Sequence, residues 1–292
     1  MKVFHLLIML LILIFISCEK DVDLKLDKTP KQLVVDASIE NGMPPIVILS
    51  KSLNYFSKIN KDTLAASFIK NAIVSVNTQS QKFRLVEDSL INNDGFVIHF
   101  YTSKPGPDFL VGELNTTYEL NILYNGDTYT SNTTIPEMTM KIDSLWWEQI
   151  VEQKESDNIK IAVKQTDRKG LGNYMRYFTS VNNSFYLPGL NSIYTDELND
   201  GITFTVFIDR GIDKNIDSKL FNFNYSKGDT VTYKFCNIDK SCYDFWRTFE
   251  FNFQSNGNPF SSPTKILSNI KGGGFGYFGG YAAQYKTLII PK

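Results

Sequence analysis

Several groups of residues have the types and spacing to do chemistry. Asp213-Lys214-Asn215-Ile216-Asp217 opens as D-x-N-x-D, and oxygen ligands at alternate positions of a turn can face one calcium ion. Ser218 then stands where an EF-hand loop needs glycine, and Asn224 where it needs the bidentate glutamate. Asp213, Asn215 and Asp217 are therefore half of a calcium loop, and a solvated loop is the better reading. Gly274-Phe275-Gly276-Tyr277-Phe278-Gly279 matches G-x-G-x-x-G, a fingerprint that holds a dinucleotide only between a strand and a helix. The chain continues into the strand-like run Tyr285–Ile290, so no cofactor is expected. Cys236 and Cys242, six apart, are either a small-loop disulfide of an oxidising compartment or two buried thiols. The two histidines are His5 and His99, too few for an H-E-x-x-H zinc site once a leader carrying His5 is removed, and His99 in FVIHFY reads as packing. Asp196-Glu197 could serve a glycosidase only if it faced other carboxylates across a cleft, which nothing in the sequence indicates.

The third cysteine carries the sharpest signal. Residues 6–16 read LLIMLLILIFI after the lone cation Lys2. Eleven helical residues span about 16 Å, half of a roughly 30 Å hydrocarbon core, which fits the apolar region of a signal peptide better than a membrane span. The run ends at Ser17-Cys18, an order that resembles the bacterial lipobox. There the cysteine is acylated, by palmitate among other chains, and begins the mature protein, although Phe15 replaces the usual leucine. The expectation is a signal peptide over 1–17, lipidation at Cys18 and a charged leash over 18–31. Glu19-Lys20-Asp21-Val22-Asp23 resembles the acidic export signal of surface lipoproteins in Bacteroidota, against the plainer reading of a solvated charge run.

These residues need elements to position them. Hydrophobic content of 42%, aromatic 14% and charged 21% exclude disordered, collagenous and coiled-coil chains. A net charge of −1 gives no electrostatic case for nucleic acid. Short β-branched and aromatic runs at 33–39, 45–52, 72–78, 96–101, 118–124 and 127–134 read as strands. Asn125-Gly126 between the last two is a hairpin signal. Six or seven strands over 32–138 predict an immunoglobulin-like or transthyretin-like sandwich. Further strand runs at 142–151, 159–166, 174–181, 203–208 and 230–236 predict a second β-rich domain over 139–292, sandwich or barrel-like. Cys242, Trp246, Phe249 and Phe253 mark one short helix near 241–254 by their shared face, with Ser241 and Asp244 as its capping pair.

The strings Asn237-Ile238-Asp239-Lys240, Tyr243-Asp244-Phe245-Trp246-Arg247-Thr248 and Gly257-Asn258-Pro259-Phe260-Ser261-Ser262-Pro263 resemble an uncharacterised Bacteroidota lipoprotein family labelled domain of unknown function 4249. Asp209-Arg210-Gly211 and Gly279-Gly280-Tyr281-Ala282-Ala283 resemble it too. Members are typically encoded beside TonB-dependent outer-membrane receptors. With the Cys18 anchor and the export-like Glu19–Asp23 stretch, the expectation is a lipid-anchored protein on the cell-surface rather than the periplasmic side of the outer membrane. The resemblance adds an accessory role in nutrient uptake, with a TonB-dependent receptor and a small or oligomeric substrate as partners. It says nothing of activity.

The expected function is non-catalytic binding. The alternatives are a surface hydrolase using carboxylates or calcium, and a structural or adhesive lipoprotein. Gly272–Tyr281 holds six glycines and four aromatics. It is either a place of close backbone approach or a contact surface formed by Phe275, Tyr277, Phe278 and Tyr281.

Overall fold

A computed structural model describes residues 31–53, 60–91, 95–149, 159–216, 218–255, 262 and 264–292. The expected signal segment, Cys18 and the leash up to residue 30 lie outside the described residues, as does Asp217.

Period-two alternation builds the strands. In β1 (Leu33–Glu40), Leu33, Val35, Ala37 and Ile39 are buried on one face, while Asp36, Ser38 and Glu40 occupy the other. The same logic runs through β2 (Ile46–Lys51), β3 (Ile73–Asn77), β4 (Lys82–Arg84), β7 (Thr116–Tyr124) and β8 (Asp127–Ile135), whereas β5 (Val86–Ile91) and β6 (Val97–Thr102) show no such alternation of burial. A one-turn helix, α1 (Lys61–Ala65), is capped by Asn60, whose Oδ1 accepts from Thr63 N at 2.8 Å. Asn125 and Gly126 take positive φ and join β7 to β8 with Tyr124 opposite Asp127, the primed turn that their types predict.

The second half contributes β9 (Met140–Gln149), β10 (Ile159–Asp167), β11 (Tyr174–Val181), β12 (Leu187–Thr195), β13 (Thr203–Ile208), β14 (Thr230–Ile238), α2 (Lys240–Ser255) and β15 (Phe275–Ile289). The protein is thus mainly β, with its strands in three open sheets. One eight-stranded sheet runs in the order β12-β11-β14-β15-β1-β2-β6-β5, beside sheets β4-β3-β7-β8 and β13-β10-β9.

Apolar faces show how the sheets pack. Val35, Leu49, Val76, Tyr118, Leu120 and Ile122 share one core, so the β1 end of the long sheet covers β4-β3-β7-β8. Ile161, Val163, Met175, Tyr177, Tyr233 and Phe235 share another, so its β11 end covers β13-β10-β9. Both halves are sandwiches, and the second forms no barrel. The cores divide near the expected boundary at 138, but the sheet does not. β15 is antiparallel to β14 on one side and parallel to β1 on the other, and Gln32–Lys292 form one compact unit.

The glycine-rich segment is therefore the central strand of the whole sheet. At Gly276 (φ +117) a Cβ would collide with the Val35 carbonyl of β1, and at Gly280 it would stand 2.5 Å from Thr134 O of β8. Backbones cross here too closely for any side chain.

Candidate functional site

The outer face of the long sheet, opposite the cores, is where polar side chains gather. Alternation sends Arg176 and Phe178 of β11, Lys234 and Cys236 of β14, Tyr277 and Tyr281 of β15 and Ser38 and Glu40 of β1 to this face. Register places Arg176 beside Cys236 and Phe178 beside Lys234, and Glu40 beside Tyr281.

Helix α2 lies across it. Asp239 starts the helix: its Oδ1 accepts from Cys242 N at 2.8 Å and from Ser241 Oγ at 2.8 Å. Its other oxygen accepts from Thr133 Oγ1 at 2.6 Å and Thr134 N at 2.9 Å, which ties the helix to β8. The expected Ser241/Asp244 capping pair is not formed, because Asp244 pairs instead with Lys240 one turn back. The buried stripe of α2 is Cys242, Phe245, Thr248 and Glu250. Trp246 and Phe249 are half-buried at its side.

Beside the helix opens a cavity of about 410 Å³, with Arg176 and Trp246 among its lining. Arg176 is 2% exposed. Its guanidinium carbon sits 3.4 Å from the centre of the Trp246 ring and 4.6 Å from that of Phe178, a cation held against two aromatic faces. Nε donates to Ser192 Oγ and Nη1 to Tyr281 Oη, both at 3.2 Å. Among the described residues, three further N–H groups of the fork have no hydrogen-bond partner.

The other cations of the lining are ion-paired. Lys234 pairs with Glu40, which also accepts from Tyr285 Oη. Lys214 donates to Glu250 Oε1 at 2.9 Å, and Glu250 also takes Ser192 Oγ at 2.6 Å and Ser192 N at 2.9 Å. Burial lowers the Lys214 pKa against the pull of Glu250. Among the described residues no carboxylate stands within 4.0 Å of the Arg176 guanidinium. It is the one lining cation without a direct counter-ion.

Of the residues singled out in the sequence, Tyr277 and Tyr281 line this cavity and are buried, Phe278 is fully buried in the first core, and Phe275 alone is exposed. An outward-facing surface of four rings is not what the segment presents: strand alternation sends Phe278 to the opposite face from Tyr277 and Tyr281. Asp213 and Asn215 line the cavity mouth together. Asp213 Oδ1 accepts from both the backbone N (2.9 Å) and Nδ2 (2.8 Å) of Asn215, so these two candidate calcium ligands bond each other. Cys236 and Cys242 are both buried and free rather than bonded, and burial pushes each thiol up to about 12. His99 lies in β6, its Nδ1 3.8 Å from Glu87. Gly274–Gly279 leads into a strand, not a helix.

Sequence reasoning missed Arg176. Its signal was a full charge in the middle of the strand YMRYFTSV, where burial of an ionised group demands a reason.

A comparison with curated proteins returned no match to this chain. Residues 19–287 match the family model described as a domain of unknown function (DUF4249).

Proposed function

The chain belongs to the DUF4249 family, and from that premise we propose a lipid-anchored, non-catalytic binding protein of the outer membrane that serves TonB-dependent uptake. Its ligand carries an anionic group that docks on Arg176, with a body that packs against Trp246, Phe178 and Tyr281. The observation that carries this reading is the buried guanidinium, clamped between two rings and open to a cavity, with no carboxylate within 4.0 Å of it among the described residues. A planar fork with spare donors suits a carboxylate or phosphate, and aromatic walls suit the apolar remainder.

Binding fits the site better than hydrolysis. The two carboxylates of the lining, Glu40 and Asp213, are already engaged by Lys234, Tyr285 and Asn215, which leaves neither placed as a free acid or base. The Cys18 anchor and the export-like stretch Glu19–Asp23 supply the address, and the family's association with TonB-dependent receptors supplies the partner.

Capture of the protein from detergent-solubilised outer membrane tests both parts. A copurifying TonB-dependent receptor, together with an anionic small molecule lost in Arg176→Gln, is the expected result. Arg176→Lys should retain charge and still lose most affinity, because it lacks the fork. Capture of neither a receptor nor an anion would overturn the reading. Cys18→Ser should abolish membrane partition and acylation; a lipid found on that variant by mass spectrometry would remove the anchor from the proposal.

A further inference from the structure

A second cluster lies away from the cavity, where the loop between β10 and β11 meets the loop between β12 and β13. Asp167 is the last residue of β10, Asp196 follows β12 directly, and Asp200 precedes β13. One carboxylate oxygen from each lies within 4.8 Å of the others. Asp196 is 0% exposed and Asp167 3%, while Asp200 is half-buried.

The backbone of the opposite loop holds each carboxylate in place. Asp167 Oδ2 accepts from Gly201 N at 3.2 Å. Asp196 accepts from Gly172 N at 3.1 Å and Asn173 Nδ2 at 2.7 Å. Asp200 accepts from Gly170 N at 2.5 Å. These bonds orient the groups without neutralising them. Among the described residues no lysine or arginine lies within 4.0 Å of any of the three, and Arg168 next door pairs with Glu137.

An independent observation points to a missing partner. Asp167 Oδ1 is buried and has no hydrogen-bond partner. A carboxylate oxygen out of water with nothing to bond is among the costlier arrangements a fold can hold. Two more carboxylates at close range, unopposed by any cation, raise that cost. A bound cation removes both.

We propose that Asp167, Asp196 and Asp200 bind a single calcium ion that fastens the β10–β11 loop to the β12–β13 loop. The donor set is all oxygen, which selects a hard cation over zinc or copper. Size favours calcium over magnesium. Two oxygens on one calcium, at about 2.3–2.6 Å each, stand at most about 5 Å apart, whereas magnesium at about 2.0–2.1 Å would require at most about 4.2 Å. The three oxygens lie within 4.8 Å of one another, a spacing that the wide, irregular shell of calcium takes up with less closure than magnesium's compact octahedron. Water and loop carbonyls complete the six to eight oxygens that calcium takes. This site is separate from the Arg176 cavity and stands whether or not that cavity binds an anion.

The test uses the full-length protein, stripped with chelator and titrated with calcium chloride by calorimetry and by melting. One calcium per chain and a rise in Tm of several degrees are expected, because a ligand that binds only the native state stabilises it. Asp200→Asn should fold, since its side chain is half-buried. It should weaken calcium binding about tenfold or more, because affinity follows ligand charge. Its calcium-free Tm should equal or exceed that of the parent, since one repulsion is gone. No heat and no Tm shift up to about 10 mM calcium, beyond the weakest extracellular calcium modules, would overturn the site. So would an equal rise with magnesium, or an Asp200→Asn variant that loses the same stability with and without calcium.

Discussion

Cys236 of β14 and Cys242 of α2 are both buried where the helix meets the sheet, and their thiols are pushed up to about 12 by burial. The reactive species is the thiolate, so neither cysteine should react near pH 8. In the Cys18→Ser chain, Ellman's reagent should find no thiol in the native state and two after unfolding, the two free cysteines of the fold. A fast native thiol would mean that α2 lifts from the sheet. Trp246 is a second case in which burial sets the outcome. It stacks on Arg176 at 3.4 Å and meets the Tyr277 ring edge-on at 4.8 Å, yet it is only half-buried. Trp246→Ala should therefore cost about 2 kcal/mol, below the ~3–5 kcal/mol of a fully buried ring, and should reduce ligand binding. Phe245→Ala, at 5% exposure, should reach the full range and leave the cavity wall in place. Urea unfolding that ranks the two variants the other way would contradict this packing.

The elements show what local pattern does and does not reveal. Strands with clean alternation, such as β1 and β7, and the β7–β8 turn are readable from their residues alone. β5 (VEDSLI) is an edge strand whose apolar residues Val86, Leu90 and Ile91 are all exposed, so it follows no alternation of buried and exposed positions. β12 is the other edge strand. Pro188 and Gly189 sit where its pairing with β11 shifts register, and both residues weigh against a strand when read from sequence. A Cβ at Gly189 would collide with the Tyr177 hydroxyl group, so the glycine exists for a contact that sequence order hides. β15 is the larger case, since glycine is disfavoured in strands unless another backbone comes close. A pair of substitutions separates the two roles of glycine here. Gly273 has φ +84 with nothing within 4 Å of an added Cβ, so Gly273→Ala should cost about 1 kcal/mol of left-handed strain. Gly276 has a positive φ and the Val35 carbonyl in the way, so Gly276→Ala should cost more than about 3 kcal/mol or prevent folding. Equal melting temperatures for the two would show that β15 does not press on β1.

At the scale of the molecule, one sheet serves two sandwiches, and the face it leaves outside becomes the floor of the site. The parallel pairing of β1 with β15 joins residues some 240 positions apart, for example Val35 with Gly276. No local periodicity encodes such a contact, which is why the two halves read as separate domains while their cores could be anticipated. Arg176 was hidden for the same reason: its ring partners come from α2 and its own strand, and the cavity exists only once the helix crosses the sheet. The shared sheet also concentrates buried tyrosines. Tyr177, Tyr225 and Tyr233 lie in the second core, and Tyr277 and Tyr281 lie under α2. Burial holds all five phenols above the ordinary 10.0. In the unfolded chain tyrosine releases its proton near 10.0, while in the native state these groups keep theirs. Above about pH 10 the unfolded state therefore binds fewer protons than the native one, and stability must fall as pH rises. Urea midpoints should begin to fall near pH 9, where the two buried thiols would ionise only in the unfolded chain, and drop more steeply beyond about pH 10, where the phenols join them. Phenolate absorbance of these rings should appear together with unfolding rather than before it. Tyr233→Phe, which removes one such proton while keeping the ring stacked on Phe235 at 5.9 Å, should make the alkaline slope shallower. Five phenols that titrate near their ordinary value while the native circular dichroism persists would show that water reaches the second core and the space under α2, and the packing of β13-β10-β9 and of the helix against the shared sheet would fail.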